Sequence, residues 1–307
     1  LVPHDERYKW LDEYVDVLYK LWEGSWDEGA LLKDRESGIF ANPDKVHKIN
    51  HVGERYKVEG PHLVAPSPQR TPVLFQAGSS PRGRDFAARN AEGVFIKAPS
   101  PEIASKQIEE TRRLAVQHGR SADDLKFYQG LSFVIGETEE EAQRKAIELE
   151  NKVDLEMMVA YMAGAAGIDL GDASLDTPLD DVESEGMSTF FKYIKENTPG
   201  RTARVADLAR YHVRTIRVVG TPESIADQLE LWQKAGVDGI NVVNATIPGS
   251  YEEFIEHVLP VLRRRGLARN LDEETTTFRN RLFGEDRLNN RHPASKYRGA
   301  FSPKNLV

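Results

Sequence analysis

The strongest constraint on this chain is an alternation. Short apolar runs recur along it, separated by stretches with helical spacing. Val73-Leu74-Phe75-Gln76-Ala77 ends at Gly78 and leads into a helical pattern over Arg82–Ala91. Gly93–Ile96 leads into Pro101–His118, Leu125–Ile135 leads into Thr138–Asn151, and Gly239–Val243 follows a helical pattern over Pro222–Ala235. Short runs apolar on both faces suit strands buried between layers, and strands alternating with helices build a parallel sheet. The pattern predicts an α/β fold. An open Rossmann-type sheet and a TIM barrel both satisfy it.

Composition narrows the partners. Lys and Arg number 41 against 49 Asp and Glu, a formal charge of -8, which argues against a nucleic-acid binder with its basic footprint. The absence of cysteine excludes disulfide scaffolds, thiolate metal sites, iron–sulfur clusters and a Cys nucleophile. No apolar run approaches the roughly 18 residues of a membrane span. The expectation is a cytoplasmic protein with neither a nucleic-acid nor a membrane partner.

Outside the alternation, Trp10, Leu11, Tyr14, Val15, Leu18 and Leu21 recur at helical spacing, predicting a helix over residues 5–23 with Asp5 as N-cap and Gly24 as stop. Residues 25–70 form a long excursion rich in Gly, Pro and charge, with one alternating stretch, Glu54–Glu59, that suits a hairpin strand. Residues 152–211 interrupt the alternation with small residues, an acidic stretch over Asp169–Glu185 and a helical segment around Ser188–Asn197. Such an insertion reads as a lid. The charged tail, 267–307, is expected to wrap a surface or a neighbouring subunit.

Gln76-Ala77-Gly78-Ser79-Ser80-Pro81-Arg82-Gly83 is the most informative segment. It closes a strand and opens a helix. Gly78 allows close backbone approach, while Ser79 and Ser80 offer hydroxyls and amides where the helix N-terminus adds positive potential. These are the parts of a phosphate site, although a serine N-cap after a glycine turn has the same local sequence. His4-Asp5-Glu6-Arg7-Tyr8 places His4 and Tyr8 one helical turn apart, able to face one ligand, and suits a plain helix start equally. Thr138–Glu141 reads as a capped helix start. His47 and His51 are four residues apart with no third ligand type nearby, so no metal site is predicted. His212 and His257 read as structural. Thr221 and Pro222 are an N-cap and first helical residue.

The ordered set of His4–Tyr8, Gln76–Ser80, Gly220–Ala226 and Ala235-Gly236-Val237-Asp238-Gly239-Ile240-Asn241 resembles the flavin-dependent monooxygenases of the bacterial-luciferase superfamily. It is most similar to the branch with the nitrilotriacetate, EDTA and dibenzothiophene-sulfone monooxygenases and the pristinamycin synthase large subunit. The resemblance covers essentially the whole chain, including the Val46–Pro61 loop and Arg291-His292-Pro293-Ala294. It implies a TIM barrel that binds reduced FMN delivered by a separate NAD(P)H:flavin reductase. It also implies a flavin C4a-(hydro)peroxide formed with O2, oxygenation of a small organic substrate, and a homo-oligomer, dimer or tetramer. By position, His4 and Tyr8 match residues near the FMN phosphate and ribityl chain, and Ser80 matches the phosphate serine, with Gly78 and Ser79 adding backbone amides. Phe95 and Ile96 fall where the walls of the substrate pocket lie.

A complete barrel has eight βα units, and only four parallel strands are readable here. The resemblance therefore implies a single barrel domain over 1–307, N-terminally truncated, with about the C-terminal half of the barrel strands. The catalytic groups of relatives lie in a further N-terminal segment, so none is assigned here. An F420-dependent oxidoreductase of the same superfamily, and an inactive half-barrel that associates with a partner chain, are the alternative expectations.

Overall fold

Small hydroxyl side chains set where the helices begin. Ser80 Oγ accepts from Gly83 N at 3.0 Å ahead of Pro81, and Thr138 Oγ1 accepts from Glu141 N at 3.2 Å. Thr221 Oγ1 accepts from Ser224 N at 3.3 Å ahead of Pro222. Each supplies one of the partners that the first turn of a helix lacks. In the computed structural model of the chain, these starts and the apolar runs between them are laid out over residues 3–78, 80–166, 173–182, 188–270 and 276–303, the residues described here.

The helices are α1 (His4–Tyr19), α2 (Pro81–Asn90), α3 (Pro101–Gln117), α4 (Glu139–Glu150), α5 (Leu155–Ala166), α6 (Ser188–Glu196), α7 (Val205–Thr215), α8 (Pro222–Lys234), α9 (Ser250–Glu253), α10 (Leu259–Arg264) and α11 (Phe278–Phe283). The strands are β1 (His51–Val52), β2 (Lys57–Val58), β3 (Phe75–Ala77), β4 (Gly93–Ile96), β5 (Lys126–Ile135), β6 (Arg217–Gly220) and β7 (Gly239–Val243). The chain divides into two compact units, one gathering Leu1–Val94, Glu110–Lys126 and Glu274–Val307, the other Phe95–Glu109 and Phe127–Glu273.

In the first unit, α1 runs into a wider helical turn over Lys20–Gly24. With Ser25 as its C-cap, the helical stretch ends at Gly24, as expected. A Cβ there would meet the Phe301 ring at 2.7 Å and Tyr297 O at 2.9 Å, so glycine admits the C-terminal tail. Asp5 sits inside the first turn, with Pro3 in the capping position. The Glu54–Glu59 expectation holds as a hairpin: β1 and β2 pair antiparallel, and Glu13 accepts the Arg55 and Tyr56 amides at its turn. Glu92 and Gly93 amides donate to Leu74 O, and Lys126 N donates to Glu92 O, so the start of β4 lies between the β3 segment and the start of β5.

The tail belongs to this unit's core. Arg279 is 1% exposed, bonds Glu92 at 2.8 and 2.7 Å, and donates to Gln69, Thr71 and Pro72 carbonyls. Buried His292 contacts Asn90 O at 2.9 Å through Nε2 and accepts from Ala294 N through Nδ1, which fixes its proton on Nε2.

In the second unit, β5 pairs in parallel with β7 along Tyr128–Ser132 and with β6 along Ser132–Ile135. Asp238 sets that start: its carboxylate accepts Phe127 N at 3.0 Å, and its own amide donates to Phe127 O at 2.8 Å. The strand β6 goes beyond the four runs read from the sequence. The described parts of 152–211 form α5, α6 and α7 around a shared apolar core of Val159, Met162, Leu179, Phe191, Ile194 and Leu208. Much of Asp169–Glu185 lies outside the described residues. Among the described residues no helix is long and apolar enough to cross a membrane.

Candidate functional site

The first unit brings α1 and the turn before α2 together. Asp12 of α1 accepts from Arg82 at 2.5 Å and Arg89 at 3.0 Å of α2. Both arginines also reach Asp85, at 3.2 and 3.1 Å, and His118 lies 2.8 Å from that carboxylate. Burial works against the charge of Asp85, but the His118 and Arg89 contacts outweigh it and hold its pKa below the ordinary value. Tyr8 is thereby carried over the start of α2, its ring 5.8 Å from that of Phe86.

Around Tyr8 Oη the turn is tightly built. Gln76 Nε2 donates to it at 3.3 Å. A Cβ on Gly78 would meet Gln76 Nε2 at 3.1 Å, Gly83 Cα at 3.2 Å and Tyr8 Oη at 3.2 Å. One on Gly83 would meet Tyr8 Oη at 2.8 Å and Ser80 Oγ at 3.1 Å. Two glycines thus let a phenol, an amide and a hydroxyl pack close against the backbone of the turn, a small polar cradle. The first turn of α2 carries no acidic residue, so nothing there repels an anion from the helix N-terminus. Of the expected cofactor residues, Tyr8, Gly78 and Ser80 converge. Ser79 and the His4 side chain lie outside the described residues.

Phe95 and Ile96 end β4, where Phe95 is 38% exposed with its ring 5.8 Å from Tyr128. Just past them, Lys97 Nζ lies 3.1 Å from His212 Nδ1 of α7. His212 therefore does not stand alone, as its isolation in the sequence suggested. Burial, with Lys97 adding to it, pushes its pKa down to about 4. Buried Gln129 holds the next residue, bonding Ala98 N at 3.0 Å and Ala98 O at 3.2 Å. Neither Lys97 nor Gln129 was singled out from sequence; a cation directly after an apolar strand was the available signal. His47 and His51 have separate partners, Asp27 at 2.8 Å for the first, Lys20 at 2.8 Å and Glu13 at 3.2 Å for the second.

The sequence profile of the family described as luciferase-like monooxygenase matches residues 2–239. Dimethyl-sulfide monooxygenase of Hyphomicrobium sulfonivorans is 41% identical over 314 residues, taking in 100% of this chain and 65% of its own length. Dibenzothiophene-sulfone monooxygenase of Rhodococcus erythropolis is 36% identical over 290 residues, 92% of this chain and 64% of its own. Among solved structures, a riboflavin lyase with modified FMN and substrate riboflavin gives a TM-score of 0.84 at 39% identity, over 97% of this chain and 66% of that one. The chain spans just under two thirds of each of these relatives. The branch read from the motifs is present among the matches, and the fold is α/β with parallel strands.

Proposed function

Because this chain belongs to the luciferase-like monooxygenase family, we propose that it binds reduced FMN and serves the oxygenation of a small organic substrate by O2. The observation that carries the cofactor reading is the cradle at the start of α2. It has the chemistry for a phosphate: glycine backbone at Gly78 and Gly83 beside the helix start, with the Tyr8 and Ser80 hydroxyls packed close against it. A hydroxyl both accepts and donates, so Ser80 can cap α2 and hold a phosphate oxygen at once. Tyr8, oriented by Gln76, serves the same phosphate or its ribityl chain. His4 and the Ser79 amide are assigned to this group by position in the sequence.

Bound reduced FMN supplies the electrons that activate O2, and the chemistry of that step is the cofactor's own. The residues of this chain anchor, orient and shield. Phe95 and Ile96 are assigned to the apolar wall of the substrate pocket, at the strand end where this fold places its active sites. A separate NAD(P)H:flavin reductase as source of the reduced cofactor, and a homo-oligomeric assembly, belong to the same reading.

The test is titration of the chain with FMN, followed by flavin fluorescence, beside the Ser80→Ala variant. Loss of one hydrogen bond to a charged acceptor is expected to weaken binding by about 1–3 kcal/mol. Equal affinity in the two proteins would remove Ser80 from the site, and no binding in either would remove the cofactor reading.

A further inference from the structure

We propose that Lys97, held against neutral His212 at the end of β4, recognises an anionic group, a carboxylate or sulfonate, on the substrate. The word substrate rests on the oxygenase reading above. The anion site itself stands on the geometry of the second unit.

The position of Lys97 is fixed by its neighbours. Gln129, fully buried, clasps both the amide and the carbonyl of Ala98, so the backbone beside Lys97 is held while its side chain projects. Its ammonium meets His212 Nδ1 at 3.1 Å. An ammonium only donates, so Nδ1 is the acceptor and the ring proton sits on Nε2. The pair therefore carries one positive charge, shared along a lysine and an imidazole.

Among the described residues no carboxylate lies within ion-pair distance of Lys97, although the chain carries more acidic than basic residues. Cations around α6 and α7 do have such partners: Lys195 with Asp180, Arg201 with Asp207 at 2.7 Å, Arg204 with Asp176 at 3.2 Å, and Arg214 with Glu150 at 2.5 Å. Desolvation where its stem packs lowers the pKa of Lys97, although the side chain reaches solvent, and no acid among the described residues offsets it. With no counter-ion among the described residues, this exposed ammonium is available to an incoming anion.

What lies beside it selects the rest of the molecule. Two residues back, Phe95 offers a partly exposed ring backed by Tyr128, and extended chain places residues two apart on one side. A cation next to an aromatic wall suits an organic anion with an apolar body, in preference to a small hydrated ion.

The experiment uses the chain with 15N-labelled histidine, the His212 ring signals being assigned with His212→Gln. Acetate and methanesulfonate are the probes, acetamide and dimethyl sulfone their uncharged counterparts, at ionic strength matched with chloride. Saturable movement of the His212 signals with the anions alone is expected. Lys97→Arg should keep it, and Lys97→Met should weaken it about tenfold or more, as for loss of a charge-assisted bond. Equal response to acetamide, an unchanged response in Lys97→Met, or no saturation by either anion overturns the proposal. FMN titration of the same samples separates the two readings. FMN binding without an anion response sinks this proposal alone, whereas an anion response without FMN binding sinks the oxygenase reading and leaves the anion site.

Discussion

Arg279 lies in a stretch whose charge suggests solvent, yet its guanidinium is buried. Its donors meet Glu92 and three backbone carbonyls. Removing one member of such a pair leaves the other charge buried and alone, which costs about 3–5 kcal/mol. Arg279→Met is expected to lose that much in urea unfolding, and Glu92→Gln added to it should restore part of the loss. Two histidines give a separate signature in pH. Burial holds both His292 and His212 down to about 4, against an ordinary value of 6.5. Between those values the unfolded chain binds protons that the folded chain does not. Stability from these groups is therefore complete above about pH 6.5 and declines as the pH falls towards about 4. The urea midpoint should follow that slope, and His292→Gln should flatten it. An unchanged slope would mean that His292 accepts its proton while folded.

Between elements, the Asp12 contacts are what align α1 with α2. Asp12→Ala is expected to cost about 1 kcal/mol in stability, since the pairs are partly exposed. It should also weaken FMN by loosening Tyr8 over the cradle, and hydrogen exchange in α1 should rise. Unaltered FMN affinity would show that the first turn of α1 needs no such brace. The alternation of runs and helices was enough to predict β3, β4, β5, β7 and the helices beside them, because hydrophobic period and hydroxyl caps are local signals. The strand β6 was not legible. Only Ile216 separates its four residues from α7, and the Thr221 cap follows at once, so helical sequence crowds it on both sides. For α5 and α7, small and charged residues masked an apolar face that only their mutual packing reveals. Among site residues, the glycine–serine turn was legible by type. The pairing of Lys97 with His212 was not, since it joins positions 115 residues apart.

At the scale of the molecule, the first unit is assembled from three stretches, whose last contribution begins at Glu274. Within it, Gly24 receives the Phe301 ring, Glu23 accepts from Arg298 at 3.0 Å, and Glu92 receives Arg279. The second unit is drawn from Phe95–Glu109 and Phe127–Glu273. Order of synthesis therefore differs from order of completion. While the ribosome still holds the tail, Glu92 has no cation to meet and the groove at Gly24 is unfilled, whereas the strands and helices of Phe127–Glu273 already have one another. Protease digestion of ribosome-stalled chains should find α7 and β5 protected before α1. Of the two units, the one that holds α1 is the last to close.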